Sequence, residues 1–215
     1  MKRFWFFGLS MTVLLLFVSS LSRAQNSWKE IPRESAADHQ PLPFLKAIGV
    51  PATATFSGEK YKAFVFISGR EKGPGVYHPS IEIYIEGLQR VIPEKELELF
   101  EGPAESKAES EIRAMTVSVR RGKQLYQAKN WVNLYEGDYP VSIVKEGGNT
   151  VFSSGVFTKG PEYTAWVQLM REMSAGFDEG HISFGGTAPS TKIEVDFSGN
   201  GIEPLLKDVI RYVGP

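Results

Sequence analysis

Cysteine is absent from this chain of 215 residues, and histidine occurs three times. Without cysteine there are no disulfides, no thiol nucleophile and no thiolate metal site. Cell-wall enzymes with a cysteine nucleophile are thereby excluded. His39, His78 and His181 stand apart, none at helical spacing from a second ligand in a recognisable metal motif. There is no Gly-x-Ser-x-Gly nucleophile elbow; Ser153-Ser154-Gly155 ends a strand without that spacing. The glycine-rich stretch 68–75 lacks the spacing and the Lys-Ser/Thr ending of a phosphate loop. A surplus of positive charge is missing too, with 24 basic against 25 acidic residues, which gives no support for nucleic-acid binding. Nothing in the pattern calls for a cofactor.

What is present begins with a leader. Lys2 and Arg3 precede an apolar run over 4–18, and Ser22-Arg23-Ala24 places small residues where a signal peptidase reads. Residues 1–24 therefore read as a signal peptide cleaved before Gln25. The competing reading is an uncleaved membrane anchor. The run falls short of the roughly 20 apolar residues a bilayer needs, and Gly8, Ser10 and Thr12 interrupt it. With no cysteine after the run, lipid anchoring at a processed cysteine is excluded. The expected location is the periplasm or outside the cell, with membrane contact only if the segment stays uncleaved. Loss of Lys2, Arg3 and Arg23 leaves 191 residues with 21 basic and 25 acidic groups, a formal charge of −4. That length suits one domain, held by its core alone.

Residues 25–50 read as an irregular arm, with Pro32, Pro41 and Pro43 inside it and Pro51 just beyond. Trp28, Phe44, Leu45 and Ile48 would pin it to a domain over 51–215. That domain opens with a hairpin, 52–57 and 60–68, turning at Ser57-Gly58-Glu59. Residues 63–67 are apolar on both faces, as in a central strand. A long hairpin loop is expected over 68–75. Ile81, Ile83 and Ile85 alternate with Glu82, Tyr84 and Glu86, which predicts one dry and one wet face. Residues 94–99 read as a short strand or helical turn, and 104–111 as a solvated loop.

Residues 112–157 form a meander broken at 121–123, 136–138 and 146–149, where Gly, Asn and Asp supply tight turns. Met115, Val117 and Val119 share a face, and Tyr139, Val141 and Ile143 repeat the alternation. A helix follows over 161–174, with Pro161 in its first turn and Tyr163, Trp166, Val167, Met170 and Met173 at helical spacing. Strands over 181–184 and 191–197 precede a helix over 203–213. The expected fold is α+β: mainly an antiparallel β-sandwich built on the meander, with two peripheral helices near 161–174 and 203–213.

Tyr84, Trp131 and Tyr135 fall on exposed strand faces and are the candidate ligand-binding residues. Each can stack on a sugar or peptide, and cross-strand packing explains them equally well. Asp178-Glu179-Gly180-His181 is the densest group of potential ligands. It joins a helix to a strand, where polar turn residues belong anyway, so no metal is assigned. Glu82 and Glu86 share one face and belong to an alternative reading, a secreted carbohydrate-directed hydrolase. That reading requires two acids facing each other at roughly 5–10 Å.

The C-terminal half resembles a known pattern. It runs Tyr139-Pro140-Val141-Ser142, then Ser154-Gly155-Val156-Phe157, then a helix with Val167-Gln168-Leu169-Met170. A strand pair, Phe197-Ser198-Gly199 and a last helix with Leu205-Leu206 follow. This is similar to small exported bacterial proteins of the invasion-associated locus B type and the type VI secretion-associated VasI type. The resemblance implies a β-sandwich with helices at one side and an extracytoplasmic location, and it brings no catalytic residues. The expected role is non-catalytic binding of a protein or cell-envelope partner. Mass spectrometry of the exported protein should find Gln25 at its N-terminus; a membrane-bound form that retains residues 1–24 would contradict the leader reading.

Overall fold

The computed structural model describes residues 27–31, 47–73, 76–101, 104–136, 150–155, 159–185 and 192–210, with backbone alone at 69–73, 76–78, 135 and 136. The leader, most of the arm, the strand expected at 139–143, the turn at 146–149 and the end of the last helix lie outside those residues. Among the described residues no helix is long and apolar enough to cross a membrane.

Among the described residues nine strands run antiparallel to their neighbours: β1 Lys29–Ile31, β2 Ala47–Phe56, β3 Glu59–Gly73, β4 Val76–Ile85, β5 Ala114–Arg121, β6 Gln124–Glu136, β7 Thr150–Ser154, β8 Glu179–Phe184 and β9 Ile193–Ser198. Eight of them close a barrel in the order β2-β3-β4-β7-β6-β5-β8-β9 and back to β2. The expected open sandwich is therefore wrong. Strands of a sandwich and of a barrel carry the same alternation, and the difference lies in one long-range pairing, Ala52–Phe56 of β2 with Ile193–Phe197 of β9. The edge of β2 is divided. Ala47–Gly49 pair with β1, and Ala52–Phe56 pair with β9. Pro51, which has no N–H to donate, sits between the two partners. The stretch expected to be irregular thus contains β1 and the start of β2.

Ser57 and Gly58 carry φ of 51° and 82°, the backbone a two-residue hairpin needs, as the sequence predicts. The loop expected over 68–75 is shorter, because β3 runs to Gly73 and β4 resumes at Val76.

Alternate side chains from all eight strands meet inside. Ile48, Val65, Ile83, Val117, Val132, Phe152, Ile182 and Val195 belong to one buried cluster. An eight-stranded barrel is just wide enough for side chains to fill. Here the filling continues into plugs at both mouths. At the mouth where β2 turns into β3, the chain between β4 and β5 folds into α1 (Leu88–Val91), α2 (Glu94–Leu97), a 3-10 turn (Glu98–Phe100) and α3 (Lys107–Ile112). Phe100 packs edge-on to Phe152 at 5.2 Å and to Phe184 at 5.9 Å. The α3 segment was expected as a loop. It has no buried residue, and its signal is the cap: Ser106 Oγ accepts the Glu109 N–H at 3.2 Å. Arg113, 3% exposed, donates to the carbonyls of Leu99 and Glu101, both at 2.7 Å, and to Asn133 Oδ1 at 3.0 Å.

The other mouth is closed by α4 (Pro161–Ser174) and α5 (Ile202–Ile210), packed on each other. Trp166, Met170, Met173, Leu206 and Val209 enter the barrel's own core, so these helices are integral rather than peripheral. Trp28 joins them, its Nε1 donating to the Ser198 carbonyl at 2.7 Å. Arg121 donates to the carbonyls of Glu172 and Gly176 and so caps the C-terminal end of α4, where a cation is favoured. Strand β7 is short; it pairs with β4 at Glu82↔Ser153 and Ile83↔Phe152, and the Ser154 hydroxyl accepts the Ile81 N–H at 3.0 Å. Beyond its end, Trp166 Nε1 donates to the Pro79 carbonyl at 2.9 Å. A helix residue thus takes a carbonyl of β4 beyond the described end of β7.

The two sides of the barrel wall differ outside. The middle of the β3–β4–β7 wall is buried on its outer side, with Phe66, Tyr84 and Val151 packed against Ile31, while Lys60 and Lys62 of β3 stay exposed near the α1 end. The wet face expected beside Ile81, Ile83 and Ile85 fails at Glu82 and Tyr84, 1% and 4% exposed, and is met at Glu86, which is exposed. Outward residues of β9, β8, β5, β6 and the second half of β2 are mostly polar and at least partly exposed, with Leu125 and Trp131 of β6 as large apolar exceptions. Replacement of Trp166 by Ala should cost about 3–5 kcal/mol in denaturant unfolding, because it empties the plug and orphans a carbonyl; a cost below about 1 kcal/mol would contradict this role.

Candidate functional site

A groove of about 660 Å³ crosses the polar wall near the α4–α5 end. Strand register builds it. Thr53, Asp196, His181, Ser118 and Gln127 are successive cross-strand partners on β2, β9, β8, β5 and β6. The next outward row holds Ser198, Glu179, Arg120 and Leu125. Pro51 borders the groove on β2.

His181 Nδ1 is hydrogen-bonded to Asp196 Oδ1 at 2.8 Å, and its Nε2 lies 3.8 Å from Glu194 Oε1. Glu194 in turn pairs with Lys192. The Ser118 hydroxyl donates to the backbone carbonyl of His181 at 3.4 Å. Serine, histidine and aspartate thus share one row without the coupling that nucleophilic catalysis needs. Both imidazole nitrogens face acids of β9, and the serine is spent on backbone. Among the described residues no three His, Asp or Glu side chains converge to hold a metal ion. Asp178 Oδ2 accepts the Gly122 N–H at 2.7 Å and so ties the β5–β6 turn to the start of β8, in keeping with the turn role expected of this polar group. Arg120 and Glu179 are direct cross-strand neighbours of opposite charge, and both are exposed.

The three sequence candidates separate. Tyr84 is buried beneath the other wall and offers no stacking surface. Tyr135 pairs in register with Val151, and its side chain lies outside the described residues. Trp131 does stand on the outer face of β6, 38% exposed. Its indole covers Gly155, where a Cβ would collide with the ring. Gly155 is held there by its N–H to the Trp131 carbonyl at 2.8 Å and by Asn130 Nδ2 donating to its carbonyl at 3.3 Å. The acids considered as a pair also diverge. Glu82 is buried and accepts from Ser68 Oγ at 3.1 Å, whereas Glu86 is exposed and lies 3.7 Å from Lys62 Nζ.

The residues that sequence reasoning missed are Thr53, Ser118, Arg120, Leu125 and Asp196. Each has the outward parity of its strand, but only the register aligns them. A second hollow of about 480 Å³ lies beside β3 and α1, with Lys60, Lys62 and Arg90 on its rim. Tyr61, also there, donates to Glu59 at 2.8 Å, a bond that raises the phenol's pKa.

The chain matches no protein-family model, no curated protein and no solved structure. Any functional reading therefore starts from this wall. The His181–Asp196 pair is exposed and should matter little to folding. His181→Ala and Asp196→Ala should each shift stability by less than about 1 kcal/mol; a loss above about 2 kcal/mol in denaturant unfolding would make the pair structural.

Proposed function

We propose that the protein is an exported, non-catalytic binding protein whose partner engages the outer wall at the groove around His181 and Asp196. The observation that carries this reading is the filled barrel. Its interior is packed by side chains from every strand, and both mouths are plugged by helices of the same core. Among the described residues this packing leaves no room for an internal ligand chamber, and recognition falls to the outside. The outer side of the β3–β4–β7 wall is buried at Phe66, Tyr84, Glu82 and Val151, whereas the polar wall presents a groove of about 660 Å³.

Separation of Ser118 from the imidazole nitrogens supports binding over acyl transfer. The divergence of Glu82 and Glu86 takes from the hydrolase alternative the pair of acids on which it rests. The extracytoplasmic setting rests on the leader read from residues 1–24, and the partner is a protein or a component of the cell envelope.

The test is a pull-down with residues 25–215 against envelope proteins and isolated wall polymers, run beside the double variant Arg120→Ala/Asp196→Ala. Wild-type protein should recover a partner and the variant should recover at least about tenfold less, the effect of losing about 1.4 kcal/mol of binding. Equal recovery by both proteins would contradict the groove as the binding face.

A further inference from the structure

We infer that the ligand of this wall is a polyhydroxylated chain, a glycan of the cell-wall type, that runs from the groove to the indole of Trp131. This rests on the reading of the groove as the binding face. Two large apolar side chains are exposed among the described residues, Leu125 at 58% and Trp131 at 38%. Both take outward positions on β6, where Leu125 edges the groove and Trp131 lies further along the same strand face. From Leu125, which lines the groove, to Trp131 is six residues, or about 20 Å of strand. A short oligosaccharide covers that length and a single sugar does not.

The surface between the two has the chemistry of a neutral hydroxylated ligand. Ser118 faces Gln127, and Thr116 faces Lys129, in direct register. These groups donate and accept hydrogen bonds, and Lys129 is the one fixed charge among the four. The stronger charges alongside are opposed by neighbours of opposite sign, Lys192 with Glu194 and Arg120 with Glu179 across the register, and Asp196 is hydrogen-bonded to His181. No block of positive charge lies here to select phosphate, and a uniformly charged chain would meet both signs. Trp131 supplies the remaining element. Sugars present an apolar C–H face that stacks on aromatic rings, and an indole laid on Gly155 is a platform whose tilt is fixed beforehand. The polar row orients the hydroxyls and the ring accepts the apolar face, the division of labour found in small-molecule sites.

The experiment titrates soluble chito-oligosaccharides of increasing length, and muropeptide fragments of the wall, into residues 25–215 by calorimetry. Affinity should rise with chain length. Trp131→Ala should weaken the longer ligands about tenfold or more, while Trp131→Tyr, which keeps a ring, should retain much of the affinity. Gly155→Ala provides a second route to the same loss by displacing the indole. If no saccharide binds, yet the pull-down captures a protein that Arg120→Ala/Asp196→Ala releases, the glycan inference falls and the groove reading stands. If saccharides bind equally to wild type and to all of these variants, both fall.

Discussion

The pairing of β2 with β9 is the constraint on which the rest of this structure depends. One edge of β2 serves two partners, β1 over its first residues and β9 over its last, with Pro51 at the change. If β9 were not seated there, the sheet would have two long free edges, a standing risk of edge-to-edge association. Closure also fixes the interior volume. Side chains from eight strands then converge on one axis, and only the two ends remain to be sealed. In a chain without cysteine, that sealing is done by packing and hydrogen bonds alone.

Strand β5 organises both seals. Arg113 precedes its first residue and Arg121 is its last. The first satisfies carbonyls of the 3-10 turn at one mouth, and the second satisfies the C-terminal carbonyls of α4 at the other. Buried polar groups of this kind are costly when unpaired. The two arginines therefore set where each plug can sit. The same strand contributes Ser118 and Arg120 to the outer groove, so the rigidity of the plugged barrel is passed directly to the proposed binding wall.

Much of the local structure is legible in the residues. Alternation marks β4, β5 and β9, the Ser57–Gly58 turn marks its hairpin, and apolar spacing marks α4 and α5. The α3 segment is missed because its helix rests on a Ser106 cap and no apolar stripe. The barrel is missed because closure joins residues near opposite ends of the chain, and alternation is the same in an open sheet. The site fails for a related reason. Tyr84 has the outward parity of an exposed residue, but outward means solvent only where nothing covers the wall. Trp131 and Tyr84 have similar local patterns, and their fates differ because they stand on different sides of the barrel. His181 is visible in the sequence as part of a polar cluster, whereas its partners Asp196 and Ser118 become its neighbours only through the pairing of β8 with β9 and β5.

The absence of native cysteine makes the central claim directly measurable. Thr55 and Glu194 are register partners across the β2–β9 seam. Directly opposed residues in an antiparallel pair have Cα atoms about 4.5–5.5 Å apart, within the range a disulfide spans. The variant Thr55→Cys/Glu194→Cys should oxidise to an intramolecular disulfide in nearly all molecules and unfold at higher denaturant than its reduced form. Two thiols that stay free under oxidation, or that link only between molecules, would show that β9 does not close on β2 and that the barrel is open.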